Sequence, residues 1–556
     1  ISNIPTDDKA TYDLIGSANT AGIFQLESKG MQDVILNMKP DKIEDLVALV
    51  ALYRPGPMDN IPVYIRRKFG EPVEYLHPLM EPILKETHGI MIYQEQVMEM
   101  TKSLAGYSLG SADLLRRAMG KKIKEEMKRQ RVIFKDGCLK YHNIDEETSM
   151  KIFDLMEKFA NYGFNKSHAA CYAWVCYQTA YLKAHYPAEF MAATMTYDMA
   201  DVDKLAFFAD NIKKMGIKIL RPDINKSFEY FSVEENGNIR YAMSAVKSVG
   251  VGVVKEIVKE REKNGPFKNI TDFIERVDPK NLNRRMLENL IKAGAFDSLE
   301  PNRAKMFENV SYILAQISSI SKDKETNQSS LFALDELTMK RDDIKLAEAI
   351  DWKPLERLKY EHEAIGFYVS AHPLDIYENV LKSLNAVKSD EIAGIKLDTK
   401  ITFAGIVDTL KSRISKAGKK FYIANVSDTK GSIDILFSER SMNTGRTKEY
   451  LESGKPVAIY CDVKCSPERT SLFGSTVEEL SLNTQLNGTL HITIKDENAV
   501  PALKKTLEAI GPGYTHIEFN LTIGNKRVLI PLNDKYNITT ENLELFKTIN
   551  NIEFTF

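Results

Sequence analysis

Apolar residues recur at helical spacing along residues 1–222. A stripe at i, i+4, i+7 and i+8 lies on one face of a helix, and a clear example is Ile152, Met156, Phe159 and Ala160. The pattern predicts a large α-helical region. Between residues 217 and 241 it changes to short alternating runs, and Asn236-Gly237 between two of them predicts a β-hairpin.

Helical periodicity returns over residues 223–317, where two glycine-centred breaks interrupt it. They are Val249-Gly250-Val251-Gly252 and Lys292-Ala293-Gly294-Ala295, and together they predict a tandem helix-hairpin-helix. The polar stretch from Ser318 to Ser330 has too few apolar residues to offset the entropy cost of ordering, so a linker is expected over residues 318–345. A helical connector is assigned to residues 346–395.

The last third of the chain shows strand patterns. Runs of five to eight residues with turns at Ala417-Gly418 and Lys430-Gly431 predict a small β-barrel over residues 396–486. Residues 487–556 combine a strand at 490–494 with a helix that Gly511-Pro512 ends. The predicted fold is therefore multidomain: mainly α-helical first, then a β-barrel, then a small α/β module.

Composition narrows the class of protein. Hydrophobic residues make up 43% and charged residues 27% of the chain, the balance of a soluble globular protein. The formal net charge is -2, so any nucleic-acid interface must be a local patch. No apolar run reaches the roughly 18 residues that span a bilayer, so a membrane location is not expected.

Two further features bear on origin and compartment. The cysteines form no CxxC pair and no cluster at zinc spacing, which favours a reducing cytoplasm; they are Cys138, Cys171, Cys176, Cys461 and Cys465. The segment after Ile1 is typical of the middle of a domain, so we expect the chain to be a piece of a longer protein.

Residues 116–131 are the densest charge cluster, with eight basic and two acidic residues and a local net charge of +6. Ser111 is predicted as the N-cap of a helix that Gly120 ends, so Arg116 and Arg117 lie in its last turn. Adjacent arginines cannot share one helix face, so the pair could hold a triphosphate on one side and the template or a carboxylate on the other. A solvated surface face is the alternative.

Two other segments could bind a nucleotide. Polar donors at Lys166, Ser167 and His168 are interleaved with aromatic residues, which suits phosphate binding and base stacking. The alternative is that His168 and its aromatic neighbours belong to the core. Pro55-Gly56-Pro57 predicts a rigid turn that directs Arg54, although this signal is weak by itself.

Two segments predict macromolecular contacts. Gly250 and Gly252, flanked by Lys247 and Lys255, would let backbone amides approach a DNA phosphate without reading sequence; a structural turn is the alternative. Gln328, Leu331 and Phe332 form a Gln-x-x-Leu-Phe pattern that offers an amide and two apolar side chains to a groove, although chance can produce so short a pattern.

Catalytic carboxylates are not evident. Phosphoryl transfer with two metals needs acidic residues close together on a rigid element. Asp201-Val-Asp203 is the one Asp-x-Asp, and its position before a helical run predicts an N-cap and a first-turn charge. No catalytic or metal-binding residue is predicted in this chain.

Six motifs, in order, closely resemble the fingers of the bacterial DNA polymerase III alpha subunit family. They occupy residues 22–28, 51–57, 89–96, 113–121, 164–168 and 182–190, and the resemblance continues through Leu220-Arg-Pro-Asp-Ile-Asn225, the hairpin glycines and His372-Pro373 before fading in the last 70 residues. It implies that the fingers bind the incoming nucleotide, with Arg116 and Arg117 on the triphosphate and Arg54, Lys166, Ser167 and His168 nearby.

The resemblance also implies partners. The tandem helix-hairpin-helix would grip primer-template DNA, Gln328, Leu331 and Phe332 would bind the sliding clamp, the OB-fold would bind single-stranded template, and the tail would bind the clamp-loader tau subunit. The proofreading subunit would bind through the half of the longer protein that is absent here. The full-length polymerase would use Mg²⁺ and dNTP substrates.

This sequence departs from the family pattern in two ways. The palm aspartates, the thumb and the N-terminal PHP domain have no counterpart in it, so we expect no polymerase activity from this chain alone. The barrel segment has few candidate stacking aromatics, Phe421, Tyr422 and Phe437, and carries Asp428, Asp434 and Glu439, which predicts weak single-strand binding. A non-catalytic DNA-binding scaffold that recruits the clamp is the alternative function.

Overall fold

The computed structural model describes the chain except for residues 2, 122, 161–162, 279–281, 327–343, 397, 416–417, 467–468, 483–485, 487, 524–525, 548 and 550. The described residues form two compact units, Ile1–Tyr197 and Asp198–Phe556. No helix among them is both long enough and apolar enough to cross a membrane.

The first unit is built from helices. Side-chain caps fix several of their starts: Asp8 accepts the amide of Thr11, and Ser28 accepts that of Met31. The helices are α1 (Lys9–Gly16), α2 (Lys29–Met38), α3 (Ile43–Leu52), α4 (Ile61–Lys68), α5 (Glu81–Leu84), α6 (Gln94–Ala105), α7 (Leu109–Lys121), α8 (Lys124–His142), α9 (Glu146–Ala160), α10 (Lys166–His185) and α11 (Pro187–Tyr197).

Two hydrophobic cores stabilise this unit. In one, α10 packs along α3, and Leu49 and Tyr177 are fully buried. In the other, α6 to α9 enclose Phe134 together with Ile152 and Met156 from the predicted stripe, so the predicted helix is confirmed. Burying one such side chain contributes about 1.5–3 kcal/mol.

The second unit starts with a small sheet and a helical region. Strands β2 and β3 pair antiparallel around Asn236-Gly237, where Gly237 has φ 76°, so the predicted hairpin is confirmed. The elements are α12 (Val202–Lys214), β1 (Ile219–Leu220), β2 (Ser232–Val233), β3 (Ile239–Arg240), α13 (Val251–Asn264), α14 (Ile270–Arg276), α15 (Arg284–Lys292), α16 (Arg303–Glu308), α17 (Val310–Thr326), α18 (Pro354–Ile365) and α19 (Glu378–Ser383).

The division between the units differs from the predicted boundary at residue 222. Helix α12 belongs to the second unit, because the first ends at Tyr197. In this helix, the carboxylate of Asp210 accepts a hydrogen bond from Ser432 Oγ at 3.0 Å, and the ammonium of Lys213 donates to the carbonyl of Thr429. Helical periodicity could not reveal this, because both partners lie far along the chain.

The predicted linker is wrong in its first part, since α17 continues through Ser318 to Thr326. Ile313, Ile317 and Ile320 are buried along one face of this helix. Their i, i+4, i+7 spacing places them on one helix face, and burial of that face stabilises the helix despite the polar residues around it. The segment at residues 327–343 lies outside the described part of the chain.

The predicted β-barrel is present and closed, with strand order β4-β5-β6-β8-β7. Its elements are β4 (Lys400–Ile414), β5 (Lys420–Ser427), β6 (Ser432–Ser438), α20 (Glu439–Met442), α21 (Thr447–Glu452), β7 (Val457–Ser466) and β8 (Arg469–Glu479). Phe403, Ile435 and Phe437 fill its interior. A Cβ at Gly474 would lie 2.2 Å from the Phe437 ring, so only glycine leaves room for this packing.

The chain ends in a four-stranded sheet of order β11-β10-β9-β12, with β9 and β10 parallel. The elements are β9 (Thr489–Ile494), α22 (Val500–Ile510), β10 (Pro512–Ile523), β11 (Lys526–Pro531), α23 (Thr540–Lys547) and β12 (Ile552–Thr555). Leu503 and Leu507 of α22 are buried, and Gly511 ends the helix with φ 76°. The predicted α/β module is therefore confirmed.

Candidate functional site

Two chain segments of the first unit pair where α6 begins. The amide of Phe164 donates to the carbonyl of Ile92 at 3.0 Å, and the amide of Gln94 donates to the carbonyl of Phe164 at 2.9 Å. The Gln94 side chain donates from Nε2 to the carbonyl of Gly163 at 3.0 Å. These bonds fix the loop that leads into α10 against the start of α6.

The N-terminus of α10 carries three predicted site residues. Asn165 caps the helix by accepting the amide of His168 at 2.9 Å. Glu95 accepts the amide of Lys166 at 2.9 Å, and the Lys166 ammonium pairs with Glu86 at 2.7 Å. Carboxylates are favourable here, because the first amides of a helix lack intrahelical acceptors.

Aromatic rings surround the first turn of α10. Exposed His168 packs between Phe164 and Tyr172, with ring centroids 5.4 Å and 4.5 Å away. Ser167 is also exposed in this turn. The core alternative for His168 is therefore wrong, and the side chains present both hydrogen-bonding and stacking surface.

Arg54 reaches the same loop from the turn after α3. Its guanidinium carbon lies 4.1 Å from the centre of the Phe164 ring, and Nε donates to the carbonyl of Ala51 at 3.1 Å. Gly56 has φ 98°, a conformation that favours glycine in the Pro-Gly-Pro turn. Burial lowers the pKa of Arg54 below its ordinary value, although an arginine remains charged.

Arg116 and Arg117 project from α7 onto a single carboxylate. Asp113 Oδ1 accepts Nε and Nη2 of Arg116 at 2.9 and 2.8 Å, and Oδ2 lies 2.8 Å from Nε of Arg117. Arg116 also donates from Nη1 to Gln94 Oε1 at 3.0 Å. The hydrogen bond from Arg116 holds the pKa of Asp113 below its ordinary value, so the carboxylate stays ionised.

Four expectations for this helix are wrong. Helix α7 begins at Leu109, the hydroxyl of Ser108 accepts the amide of Ser111, and Gly120 lies inside the helix. The arginines are therefore not in its last turn. They also share one partner, because residues three and four positions after Asp113 both lie beside it.

The predicted residues are brought together through Gln94 and Phe164. Gln94 links Arg116 to Gly163, while Phe164 contacts Arg54 and His168. We call this surface the cation cluster; its members are Arg54, Arg116, Arg117, Lys166, Ser167 and His168.

Sequence reasoning missed Gln94, Glu95 and Asp113 as site residues. Asp113 could have been found from its spacing to the two arginines. Gln94 and Glu95 follow the apolar run at residues 90–92, but only the fold places them beside residues 163–166.

Two further arginines of the predicted +6 segment pair with carboxylates. In α8, Arg129 pairs with Glu126 at 2.9 Å, and Arg131 pairs with Glu157 at 2.8 Å and with Asp154. These pairs leave less free positive charge than the sequence count indicates.

The first glycine break lies at the start of α13, after a single 3₁₀ turn at Met243–Ala245. Gly250 is the N-cap, and a Cβ at either Gly250 or Gly252 would meet no atom within 4 Å. Lys255 is exposed in the helix, whereas the Lys247 ammonium donates to the carbonyl of Glu363 at 2.8 Å. The open approach to the first helical amides fits a bound phosphate.

The second glycine break has a different role. Gly294 has φ 83° between α15 and α16, and a Cβ there would lie 2.1 Å from Nη2 of Arg303. Arg303 is itself buried against Asp297, with bonds of 2.8 Å. This glycine permits tight packing inside the hairpin.

Other predicted features differ or lie elsewhere. Phe437 cannot stack on a base, because it is buried inside the barrel. Asp428 closes the β5–β6 turn by accepting the amides of Lys430 and Gly431. Gln328, Leu331 and Phe332 are outside the described residues.

Asp201 is the N-cap of α12 and accepts the amide of Lys204, with Asp203 in the first turn, as predicted. Across the described ranges, no group of three or more His, Cys, Asp or Glu side chains is arranged to hold a metal ion. Within these ranges the carboxylates do not form a site that fits Mg²⁺.

Comparison with known families defines the class of protein. The family described as "Bacterial DNA polymerase III alpha subunit finger domain" matches residues 1–142, and "Helix-hairpin-helix motif" matches residues 216–306. The chain therefore contains polymerase fingers followed by a helix-hairpin-helix region.

Relatives named DNA polymerase III subunit alpha align with most of the chain. Those of Caulobacter vibrioides and Borreliella burgdorferi are 42% and 38% identical over 91% and 98% of it, covering 44% and 48% of their own lengths. That of Chlamydia trachomatis is 46% identical over 78% of the chain and 35% of its own length. The chain belongs to the bacterial DNA polymerase III alpha subunit family and spans less than half the length of each of these relatives.

Proposed function

We propose that this chain is part of a replicative DNA-directed DNA polymerase, to which it contributes incoming-nucleotide binding and DNA binding. The cation cluster carries the nucleotide part of the proposal. Its guanidinium and ammonium groups suit phosphate oxygens, and its aromatic rings suit a base. It lies in the unit that contains the matched finger region.

The proposal extends to the DNA and the other subunits. The start of α13 would bind the backbone of primer-template DNA through Gly250, Gly252, Lys247 and Lys255. Gln328, Leu331 and Phe332 would bind the sliding clamp, and the C-terminal module the clamp-loader tau subunit. A proofreading subunit and Mg²⁺ would bind elsewhere in the longer polymerase, in the bacterial cytoplasm.

Equilibrium binding of a fluorescent dNTP to this chain tests the nucleotide site. Replacing Arg116 or Arg117 with Ala should weaken binding about tenfold or more, because charge-assisted hydrogen bonds contribute about 1.5–3 kcal/mol. Arg446→Ala is the matched control, since Arg446 forms an exposed i,i+3 pair with Glu449 in the barrel region. If Arg116→Ala and Arg117→Ala bind the dNTP as tightly as the Arg446→Ala control, the assignment of the nucleotide site is contradicted.

A primer-extension assay addresses the chemistry. We propose that the chain alone does not extend a primer, because its described carboxylates form no metal-binding group. Template-dependent extension by this chain would overturn that part of the proposal.

A further inference from the structure

Asp113 occupies the guanidinium groups that a triphosphate would need. It accepts two donors of Arg116 on one oxygen and lies 2.8 Å from Nε of Arg117 with the other. A third donor of Arg116 is bonded to Gln94. Bidentate phosphate binding uses two adjacent N–H groups of a guanidinium, so a phosphate on the edge of Arg116 that faces Asp113 must displace this carboxylate.

The same pattern recurs at the start of α10. Glu95 accepts the amide of Lys166, and Glu86 pairs with its ammonium at 2.7 Å. Carboxylates thus occupy anion-binding groups on both sides of the cation cluster. Asp113 differs from the other two because one carboxylate holds two arginines.

We propose that Asp113 is a positioning residue that orients Arg116 and Arg117 and competes with the incoming triphosphate for them. This inference rests on the proposed nucleotide-binding function. Once a triphosphate is bound, the negative charge of Asp113 beside it lowers the net attraction. Asp113 therefore limits polyanion affinity and favours ligand release.

An isosteric substitution separates orientation from charge. In Asp113→Asn, the amide oxygen can still accept an arginine N–H, but the negative charge is gone. In Asp113→Glu the charge is kept, and pairing at i,i+3 and i,i+4 remains possible. A purely structural role predicts weaker or unchanged binding in Asp113→Asn, whereas competition predicts tighter binding.

The experiment is a titration of the full chain with inorganic triphosphate and, separately, with a dNTP at low salt. Asp113→Asn should bind both about threefold to tenfold more tightly, the range for removing one or two exposed ion pairs. Asp113→Glu should restore wild-type affinity. The gain should shrink as salt screens the charges.

Asp13→Asn is the matched control. Asp13 forms an exposed i,i+4 pair with Lys9 at 2.5 Å on α1. Tyr12 of helix α1 packs against Tyr177 of α10. Tyr177 follows Lys166 by eleven positions, so this contact lies roughly 16 Å along the helix from the cation cluster. This variant should bind like wild type.

A double variant tests whether the gain in affinity comes from the arginines that Asp113 releases. Adding Arg117→Ala to Asp113→Asn should remove much of the gain in triphosphate affinity, because one of the released arginines is then missing. If Asp113→Asn does not fold, as judged by circular dichroism, Asp113→Ser replaces it. Folded Asp113→Asn protein, or folded Asp113→Ser in its place, that binds triphosphate as wild type or more weakly overturns the inference. Triphosphate binding by none of the proteins, wild type included, overturns the proposed nucleotide site as well.

Discussion

At the residue scale, His372 links the stability of the second unit to pH. It is buried before the 3₁₀ turn at Pro373–Tyr377, where Nδ1 accepts the amide of Leu374 at 3.2 Å. The neutral ring therefore carries its proton on Nε2, which lies 3.4 Å from Ser427 Oγ. Burial lowers the pKa of His372 to about 4, although nearby Asp428 raises it slightly.

This pKa predicts acid sensitivity. Between pH 6.5 and about 4 the unfolded chain binds a proton at His372 and the folded chain does not, so the free energy of unfolding falls as pH falls. The full effect is about 3 kcal/mol. Asn at this position can still accept the Leu374 amide but cannot titrate, so His372→Asn should lose this pH dependence.

Tryptophan fluorescence isolates the relevant unit. The chain has two tryptophans, Trp174 in the first unit and Trp352 in the second. In a Trp174→Phe background, Trp352 fluorescence follows urea unfolding of the second unit. The free energy of unfolding should fall between pH 7 and pH 5 in the protein with His372, and it should fall less in the His372→Asn variant. Identical losses would contradict the prediction.

Site residues were predictable from sequence where their partners are local. Asp201 as an N-cap follows from the polar residues before a helical run, and Asp113 is within one helical turn of Arg116. Gln94 and Gly163 are 69 positions apart. Their contact depends on how α6 and α10 pack, which periodicity does not encode.

At the element scale, the two hairpin glycines should respond differently to alanine. Gly252 lies in the first turn of α13 with open space around it, whereas Gly294 has φ 83° and contacts Arg303. Gly252→Ala should stabilise the second unit by up to about 1 kcal/mol, because alanine favours helix. Gly294→Ala should destabilise it through strain and overlap.

The same Gly252→Ala change should weaken duplex DNA binding. A methyl group at the start of α13 blocks close approach of a phosphate to the first amides, and losing one such bond corresponds to about tenfold. Fluorescence anisotropy with a labelled duplex measures this. Gly16→Ala, which adds a methyl into open space at the end of α1, is the control. Undiminished binding by Gly252→Ala would argue for a purely structural turn.

Helices and strands could be predicted where their sequence pattern is strong. The prediction was incomplete where tertiary contacts determine the structure. The strand-like runs and their turns predicted the barrel, but its closure, in which β8 at Arg469–Glu479 pairs with both β7 and β6, depends on tertiary contacts. For α17, three buried isoleucines outweighed the polar composition of the segment.

At the scale of the whole molecule, the proposed contacts with nucleotide and with duplex lie on different units. The cation cluster is in Ile1–Tyr197, and the start of α13 is in Asp198–Phe556. Variants of one site should therefore leave the other ligand's affinity unchanged. This separation lets each proposed function be tested in the same chain.

The proposed clamp contact can be separated from DNA binding in the same way. Replacing Gln328, Leu331 and Phe332 with Ala should abolish capture of the chain by an immobilised bacterial sliding clamp, because the amide anchor and two apolar side chains, each contributing about 1.5–3 kcal/mol when buried, are removed together. Ser329→Ala with Ser330→Ala changes the intervening positions of the same motif and should retain capture. Both proteins should bind duplex DNA equally, with affinity falling steeply as salt rises, since backbone contacts release counterions. Capture that survives the triple change would place the clamp contact elsewhere in the chain.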